Sequence, residues 1–262
     1  MNRLKKLDKI SDVLEKQAIR LASRVPSVFH SLRYSSIGLP QEKVEPSFIP
    51  TDSNLHRIEP MSKHPMELFK AWYGDHVQLN PNNLMANVLS LSTATKSGRV
   101  SNRTLILRRL DEDGFVIMTD GRSKKSAELA ENPFAAMSFL WLCMKGQACL
   151  SRQVRIEGKV EALDESNWID IYEKEPLFCK IRAHICNQGQ EVEWRDLKNH
   201  HDQLLKEVEE GNRELEKPAH VVAYKLHPDM IEFYESFGLT IGDRLLYRKQ
   251  DDNSWRVSRI AA

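Results

Sequence analysis

Hydrophobic and polar residues alternate most clearly between Arg152 and Gly158, in the sequence Arg-Gln-Val-Arg-Ile-Glu-Gly. A two-residue period is typical of a β-strand, whose successive side chains point to opposite faces. One face of this strand carries Arg152 and two aliphatic residues, and the other carries Gln153 and two charged residues. Because a buried guanidinium or amide needs polar partners, the strand predicts either a bound polar ligand or an ion-pair network.

Similar short strands, separated by turn-forming residues, are predicted along most of the chain. The strands are expected at residues 86–95, 100–108, 115–118, 135–141, 151–163, 221–226, 230–234, 244–249 and 255–260. The turns between them are expected at residues 96–99, 111–114, 227–229 and 251–254. Successive strands with short connections favour an antiparallel sheet, and this many strands favour its closure into a barrel.

Four further segments are predicted to form helices beside the sheet. Pro65 suits a first helical turn, and large apolar residues follow it. Ser123 is typical of an N-cap, and the helix that it begins is expected to end near Glu131. The other two helices are predicted at residues 165–172 and at residues 192–210, just before a helix-terminating glycine.

The order of these elements predicts one α+β domain over residues 61–262, an antiparallel barrel with flanking helices. Residues 1–60 are expected to form an N-terminal extension or arm. Residues 1–36 combine an excess of basic side chains with apolar residues at helical spacing. Two alternatives fit that pattern: a mitochondrial transit peptide, or an amphipathic extension that packs on the domain or frays.

Composition narrows the classes of function. The 38 Lys and Arg residues nearly balance the 37 Asp and Glu residues, so the net charge of +1 provides no overall attraction to nucleic acid. No apolar run approaches the roughly 18 residues of a membrane span. The four cysteines contain no CxxC pair. We therefore expect no metal site, no membrane partner, and a cytoplasmic protein with reduced thiols.

One short segment predicts a phosphate-binding site. A strand ends at Thr119, and Ser123 begins a helix in which Lys124 and Lys125 follow at once. The N–H groups of a helix start, a hydroxyl and two ammonium groups suit a phosphate, although a capped helix with solvated lysines fits the same residues. Arg103 on the preceding strand is expected to reach this region, where its guanidinium could bind a phosphate bidentately.

These segments resemble, in order and spacing, those of the pyridoxamine 5'-phosphate oxidase family, from about Pro65 to the C-terminus. Residues 102–108 resemble the Arg-x-x-x-x-Lys flavin strand of that family, with arginine in place of the lysine. Residues 115–125 resemble its Gly-Phe-x-Phe-x-Thr-Asn-x-x-Ser-Arg-Lys segment, with lysine replacing the arginine. Residues 132–135 and 152–158 match closely, residues 230–234 resemble its Met-Glu-Phe-Trp, and residues 243–244 match the end of its Arg-Leu-His-Asp-Arg motif.

The resemblance implies an FMN-binding split barrel that works as a homodimer, with flavin at the subunit interface and residues 218–262 in dimerisation. It implies FMN-dependent oxidation of pyridoxamine or pyridoxine 5'-phosphate to pyridoxal 5'-phosphate, with O2 as acceptor. Four residues would hold the cofactor phosphate: Arg103, Ser123, Lys124 and Lys125. Five would border the ribityl chain and the ring: Thr104, Leu105, Ile106, Met118 and Thr119. Four more would approach the flavin, several of them from the partner subunit: Gln153, Gln188, Tyr234 and Arg244.

The positions that should hold the substrate phosphate depart from the family pattern. The family's Lys, Tyr, Arg and Ser correspond here to Arg108, Ile171 (with Tyr172 one residue away), Glu175 and Cys179. A carboxylate about 6 Å from a phosphate repels each unit of charge by roughly 3 kcal/mol at an effective dielectric constant near 20. Glu175 therefore disfavours a phosphate unless its side chain turns into solvent.

Two further differences affect the substrate region. The family's Arg-Leu-His reads Thr240-Ile241-Gly242 here, so the cation and the imidazole are both missing. Residues 142–151 form a connection that is longer than the family's usual one, and we expect a loop there that could remodel the mouth of the pocket.

Three functions are compatible with this pattern. The first is a divergent oxidase of phosphorylated B6 vitamers, in which Arg108 binds the substrate. The second is an FMN-dependent oxidoreductase with a different, less anionic substrate. The third is a non-catalytic homologue that binds FMN or a vitamer.

Overall fold

The computed structural model describes residues 54–80 and 85–262, and within them nine strands form one antiparallel sheet. The strands are β1 (Val88–Ala94), β2 (Val100–Ile106), β3 (Arg109–Leu110), β4 (Phe115–Asp120), β5 (Phe134–Lys145), β6 (Ala148–Ala162), β7 (Val221–Phe237), β8 (Asp243–Lys249) and β9 (Trp255–Arg259). The helices are α1 (Pro65–Leu79), α2 (Lys124–Glu131), α3 (Ile169–Glu173), α4 (Leu177–Ile185) and α5 (Trp194–Glu209), with a 3-10 turn at Glu165–Asn167. The predicted α+β class and antiparallel sheet are confirmed, whereas α4 was not predicted.

The chain after β2 closes the sheet into a barrel. The strand order is β2-β1-β5-β6-β7-β4-β3, and β8 and β9 extend from β7. The N–H of Leu107 donates to the carbonyl of Asn87 next to β1, and the N–H of Arg108 donates to the carbonyl of Val116 in β4, at 2.8 and 2.9 Å. These two bonds join the ends of the strand order, and they place Arg108 at the seam.

Strand β7 is continuous, so the predicted division into two strands with a turn around Pro228 is wrong. On one edge, β4 pairs with β7 as far as Leu226, and β8 pairs with it from Met230 onward. Pro228 lies in the gap between them, so its missing N–H leaves no bond unmade on that edge. On the other edge the register with β6 shifts beside Gly158, where a Cβ would lie 2.0 Å from the carbonyl oxygen of His227.

Strands β5 and β6 form a long hairpin, which corrects the prediction of a loop at residues 142–151. Their pairing continues to Lys145 and Ala148, and the turn between them contains Gly146 at a φ of 62°. That left-handed conformation is easily reached by glycine and suits a two-residue hairpin turn. Alternate residues of the extension point outward and are 52–64% exposed: Leu140, Leu142 and Met144.

Helix α1 packs its apolar face against the core of the barrel, as the sequence predicts. Phe69 is fully buried, and its ring centroid lies 4.9 Å from that of Phe115 and 5.2 Å from that of Phe139. Both contacts have the edge-to-face geometry that aromatic pairs prefer. Burial of Met66 and Trp72 on the same helix extends this core along the barrel.

The predicted inward face of β6 is buried, and its arginine lies in an ion-pair network. Arg152 Nη1 lies 2.8 Å from Asp75 Oδ2, and Arg152 Nε contacts the carboxylate of Glu235. Its guanidinium also lies 4.6 Å from the centroid of the Trp72 ring, within the range of a cation–π contact. Arg152 therefore connects α1, β6 and β7. Of the two alternatives predicted for this strand, a bound polar ligand or an ion-pair network, the structure shows the ion-pair network.

Residues 54–58 pack against the end of β7 and the start of β8 through polar contacts. His56 Nε2 lies 2.5 Å from Glu235 Oε1, and the N–H of Ile58 donates to Asp243 Oδ2 at 2.8 Å. The predicted transit peptide or amphipathic extension at residues 1–36 lies outside the described residues, as does most of the predicted arm. Among the described helices, none has the length and apolar character needed to cross a membrane.

Candidate functional site

A cavity of about 520 Å³ lies between β2, β4 and the helical segment from α3 to α5. The last three residues of β2, Thr104, Leu105 and Ile106, line the cavity together with Arg108 at the barrel seam. Seven of the residues that the sequence nominates for cofactor or substrate line this cavity: Thr104, Leu105, Ile106, Arg108, Met118, Thr119 and Gln188.

Lys125 is buried beside the cavity, with only 3% of its surface exposed. Its ammonium group donates to Thr119 Oγ1 at 2.8 Å, to Ser123 Oγ at 2.9 Å and to Gln188 Oε1 at 3.1 Å. Burial and the nearby positive charge of Arg103 lower the pKa of Lys125 to about 8. The protein therefore holds two cations close together, and a bound anion would relieve their repulsion.

Arg103 is fixed by a buried carboxylate. Its Nη2 lies 3.3 Å from Glu128 Oε2, and the same oxygen accepts hydrogen bonds from Thr93 and Ser101. Burial opposes ionisation of Glu128, but the hydrogen bonds from Ser101, Thr93 and Arg103 outweigh it and lower its pKa. Because Nη1 of Arg103 also donates to Thr93 and to the carbonyl of Leu91, both terminal nitrogens are occupied within the chain.

Ser123, Lys124 and Lys125, which the sequence assigns together to a phosphate site, have different environments in the structure. The predicted N-cap position of Ser123 and the end of its helix at Glu131 are confirmed, but the Ser123 side chain makes no capping hydrogen bond. Its hydroxyl instead accepts from Lys125 and lies 3.2 Å from Ser126 Oγ. The side chain of Lys124 is 68% exposed, and its Nζ lies 3.7 Å from Glu128 Oε1. Lys125 thus faces the cavity region, and Lys124 lies on the surface beside it.

Arg108 and Glu175 form a closed ion pair in the cavity wall. Nη1 of Arg108 lies 2.9 Å from Oε1 of Glu175, and Nη2 donates to Oε2 at 3.2 Å. Their side chains are 11% and 5% exposed. Glu175 therefore points into the cavity wall and not into solvent. Its carboxylate neutralises the charge of Arg108 at close range.

Two other side chains complete this end of the cavity. Tyr172, and not Ile171, lines it, and the Tyr172 hydroxyl donates to the carbonyl of Glu216 at 3.0 Å. Burial and the neighbouring Glu175 raise the pKa of Cys179 to about 11, so its thiol is uncharged at neutral pH. Neither side chain adds positive charge to the Arg108–Glu175 pair.

Gln153, Tyr234 and Arg244 form a row across three strands, away from the cavity lining. Gln153 in β6 pairs with Tyr234 in β7, which pairs with Arg244 in β8. The guanidinium of Arg244 lies 5.4 Å from the centroid of the Tyr234 ring. Cross-strand pairs point to the same side of a sheet, so the three side chains offer an amide, a phenol and a cation on one surface.

The segment that replaces the family's Arg-Leu-His lies against the N-terminal arm. The N–H of His56 donates to the carbonyl of Ile241, and the N–H of Ile241 donates to the carbonyl of Asn54, both at 2.8 Å. Gly242 follows and packs against the ring of Tyr234. This segment carries no side chain that titrates near neutral pH.

Glu128 is the functional residue that the sequence analysis missed. A glutamate four residues after Lys124 on a short helix is typical of an exposed ion pair, and it was not singled out. Helical spacing could have identified Glu128 as a buried residue. It lies on the same face of the helix as Lys125 and next to Leu129, and both of these residues are buried. A carboxylate on a buried helical face needs a partner, and that partner is Arg103.

Two family models match this chain. The family model described as "Pyridoxamine 5'-phosphate oxidase" matches residues 83–197, and the one described as "Pyridoxine 5'-phosphate oxidase C-terminal dimerisation region" matches residues 222–262. A pyridoxine/pyridoxamine 5'-phosphate oxidase from Nostoc sp. is 33% identical over 211 residues, which cover 80% of this chain and 94% of that protein.

Two solved structures share the fold. One is PhzG from Burkholderia lata in complex with tetrahydrophenazine-1-carboxylic acid, with a TM-score of 0.69, 24% identity, and coverage of 80% of this chain and all of that one. The other is a pyridoxamine 5'-phosphate oxidase-related, FMN binding protein from Nostoc punctiforme, with a TM-score of 0.57, 18% identity, and coverage of 74% and 97%.

Proposed function

Because this chain belongs to the pyridoxamine 5'-phosphate oxidase family, we propose that it binds FMN and oxidises a B6 vitamer or a related aromatic alcohol or amine, with O2 as acceptor. Pyridoxamine and pyridoxine 5'-phosphate, for which its relatives are named, are the first substrates to test. The observation that carries the proposal is the pair of cations beside the cavity, Arg103 and Lys125.

The residues present fit the phosphate group of FMN. A phosphate monoester carries about −1.5 to −2 charges at neutral pH. Arg103, Lys124 and Lys125 supply three positive charges against the carboxylate of Glu128, and the nearby carboxylate of Asp120 is paired with Arg122, which leaves a local excess of two. Arg103 would act mainly as a fixed charge, because its terminal nitrogens are already hydrogen-bonded, whereas Lys125 would exchange its bonds to hydroxyl and amide oxygens for a phosphate oxygen.

The remaining cavity residues would hold and shield the flavin ring. When bound, FMN supplies a ring that accepts a hydride from the substrate and passes the electrons to O2. Leu105, Ile106 and Met118 offer apolar surface that excludes water from the ring, and Thr104 and Thr119 offer hydroxyls for the ribityl chain. Gln188 lies within reach of the same phosphate because it already contacts Lys125.

We propose that a second copy of the chain completes the site. Gln153, Tyr234 and Arg244 lie on an outer surface of the sheet and do not line the cavity of their own chain. Tyr234 and Arg244 also fall within the residues that match the family's dimerisation region. In a homodimer, this row would contact the flavin held by the partner subunit.

Flavin binding is tested by titrating the purified protein with FMN while following its melting temperature. An FMN concentration one hundred times the dissociation constant stabilises the folded state by about 2.7 kcal/mol. For a domain of this size, that corresponds to a rise of roughly 5–10 °C. A colourless protein whose melting temperature does not respond to FMN would refute the proposal.

A non-catalytic homologue that binds FMN or a vitamer is the second candidate. It is favoured by the segment at residues 240–242, which has no group for proton transfer. Hydrogen peroxide release by the FMN-loaded protein separates the two candidates. Release above a blank with any of pyridoxine, pyridoxamine or their 5'-phosphates supports the oxidase, and release equal to the blank with all four supports the non-catalytic homologue.

A further inference from the structure

The end of the cavity at Arg108 is electrically neutral because of one contact. Arg108 and Glu175 face each other through two nitrogen–oxygen contacts of 2.9 and 3.2 Å, and both side chains are nearly buried. An arginine held in this way has its charge compensated and its two terminal nitrogens directed at one carboxylate. A phosphate that entered here would have to displace the carboxylate or lie beside it.

Displacement is disfavoured by burial. A carboxylate with 5% of its side chain exposed would lose its ion-pair partner Arg108 while remaining largely shielded from water. Tyr172 and Cys179 provide no substitute, since the hydroxyl of Tyr172 is already donated to Glu216 and the thiol of Cys179 is uncharged. None of these groups compensates a phosphate dianion.

One further cation lines the cavity near Cys179, but it is not buried as Arg108 is. Arg182 on α4 is exposed to solvent and makes no ion pair with another residue in the described part of the chain. An exposed arginine that must give up its hydration holds an anion weakly. Arg182 is therefore a poor replacement for a buried phosphate clamp.

An uncharged polar group fits the same place without breaking the pair. An alcohol can donate its hydrogen to a carboxylate oxygen of Glu175 while its oxygen accepts from Arg108 or from solvent. Such a group adds no charge to a neutral site, and it retains the hydrogen bonds that a buried hydroxyl needs.

We propose that this end of the cavity binds an uncharged hydroxymethyl arm and rejects a phosphorylated one. The preferred ligands would then be aromatic alcohols or amines of the pyridoxine class in their unphosphorylated form. This inference rests on the proposed FMN-dependent function, whose failure is detected separately as absence of FMN binding.

The test is calorimetry on the FMN-loaded protein with two probes, pyridoxine and pyridoxine 5'-phosphate. We expect pyridoxine to bind more tightly. Glu175→Gln removes the negative charge and frees Arg108, so it should tighten binding of the phosphate by at least about tenfold. Glu175→Arg should tighten it further, and should reverse the preference between the two probes.

Two controls show whether the effect belongs to this site. Glu173→Arg makes the same change of charge two residues away at an exposed position, and should leave the preference unchanged. Arg182→Gln should also leave it unchanged. Retention of FMN by each variant shows that the fold is intact. The two Glu175 variants should melt at a lower temperature than the wild type, because each leaves Arg108 without its buried carboxylate.

The inference is overturned if the wild-type protein binds pyridoxine 5'-phosphate as tightly as pyridoxine, or binds neither probe. It is also overturned if phosphate binding depends on Arg182, which would place the anion at the rim. Equal effects of Glu173→Arg and Glu175→Arg would show that only the overall charge matters.

Discussion

Gly242 lies directly against the ring of Tyr234, and a Cβ at this glycine would be 2.5 Å from the Tyr234 hydroxyl oxygen. The family's histidine would stand at the position of Gly242. Tyr234, which stands where the family has tryptophan, therefore occupies the space that an imidazole at residue 242 would need. The exchange at Tyr234 and the exchange at Gly242 are linked by packing. Restoring the histidine alone would require Tyr234 to move.

We predict that Gly242→Ala lowers the free energy of unfolding by about 1–3 kcal/mol, as expected for overpacking. The loss should shrink when Tyr234 is also changed to alanine, because the contacting ring is then absent. Urea denaturation of the two single variants and the double variant measures this coupling.

Gly74→Ala on α1 is the matched control, since nothing lies within 4 Å of a Cβ there. It should be neutral or stabilising by up to about 1 kcal/mol, as for an alanine in a helix. Equal losses for Gly74→Ala and Gly242→Ala would contradict the packing argument.

Arg152→Ala should lower the free energy of unfolding by about 3–5 kcal/mol, because it leaves the buried carboxylates of Asp75 and Glu235 without this cation. Arg155→Ala is its control on the same strand, where a 44% exposed side chain makes ion pairs of 3.3 and 3.6 Å. That change should cost less than about 1 kcal/mol. Similar denaturation midpoints for the two variants would show that the network contributes little.

Lys125→Met should weaken FMN binding by at least about tenfold, whereas Lys124→Met should weaken it by less than about threefold. The difference follows from exposure, since Lys125 is buried at the site and Lys124 is largely in solvent. Fluorescence quenching of FMN gives both dissociation constants. A larger effect at Lys124 would place the phosphate on the outer side of α2.

FMN affinity should be highest from about pH 6.5 to about pH 8 and should fall at higher pH. Lys125 has a pKa of about 8 in the free protein, so its ammonium form is present below that pH and is lost above it. A bound phosphate favours the ammonium form, so affinity should decrease towards tenfold per pH unit above about 8. Below about pH 6 the phosphate itself gains a proton, which also weakens binding.

Lys125→Arg provides the control for this pH dependence, because an arginine stays charged throughout the range. Its FMN affinity should remain flat through about pH 9. A decrease above pH 8 that is the same in both proteins would assign the effect to a different group.

Leu142→Asp should convert the proposed homodimer to a monomer. Leu142 lies in the row of exposed apolar residues on β5, and neighbouring Leu140 pairs directly with Gln153. A charge in an apolar contact surface opposes its burial in a homodimer. Light scattering after gel filtration measures the mass, and Val77→Asp on α1, where the side chain is 38% exposed, should remain dimeric.

Much of the fold could be predicted from alternation and turn residues. The strand face that carries Arg152, and the helix that begins at Pro65, follow directly from local periodicity. The turn predicted around Pro228 was wrong because a proline inside a strand pattern usually interrupts the strand. Here Pro228 lies between the segments of β7 that pair with β4 and with β8, so its missing N–H costs no hydrogen bond on that edge. The loop predicted at residues 142–151 was wrong because alternation continues through Cys143 into a hairpin extension.

The candidate site was predictable only in part. The cationic residues could be nominated from type and order, and Arg103 and Lys125 do lie close enough to affect one another. The carboxylates that pair with these cationic residues could not be predicted, because they are distant in sequence. Glu175 lies 67 positions from Arg108, and Glu128 lies 25 positions from Arg103. Tyr172 rather than Ile171 lines the cavity, and this one-residue difference depends on the rotation of a short helix about its axis, which the local sequence does not specify.

The continuous strand β7 has a consequence for a dimeric form of this protein. Val221 at its start borders the cavity, and Tyr234 near its end belongs to the row on the outer surface. Thirteen residues of extended chain separate them by roughly 40 Å. In a symmetric homodimer, strand β7 would therefore set two positions at once. Its start would fix where a subunit holds its own flavin, and its end would fix where that subunit contacts the flavin of the partner subunit. The two flavins would then be held at a fixed spacing, and a mutation that bends this strand would disturb both at once.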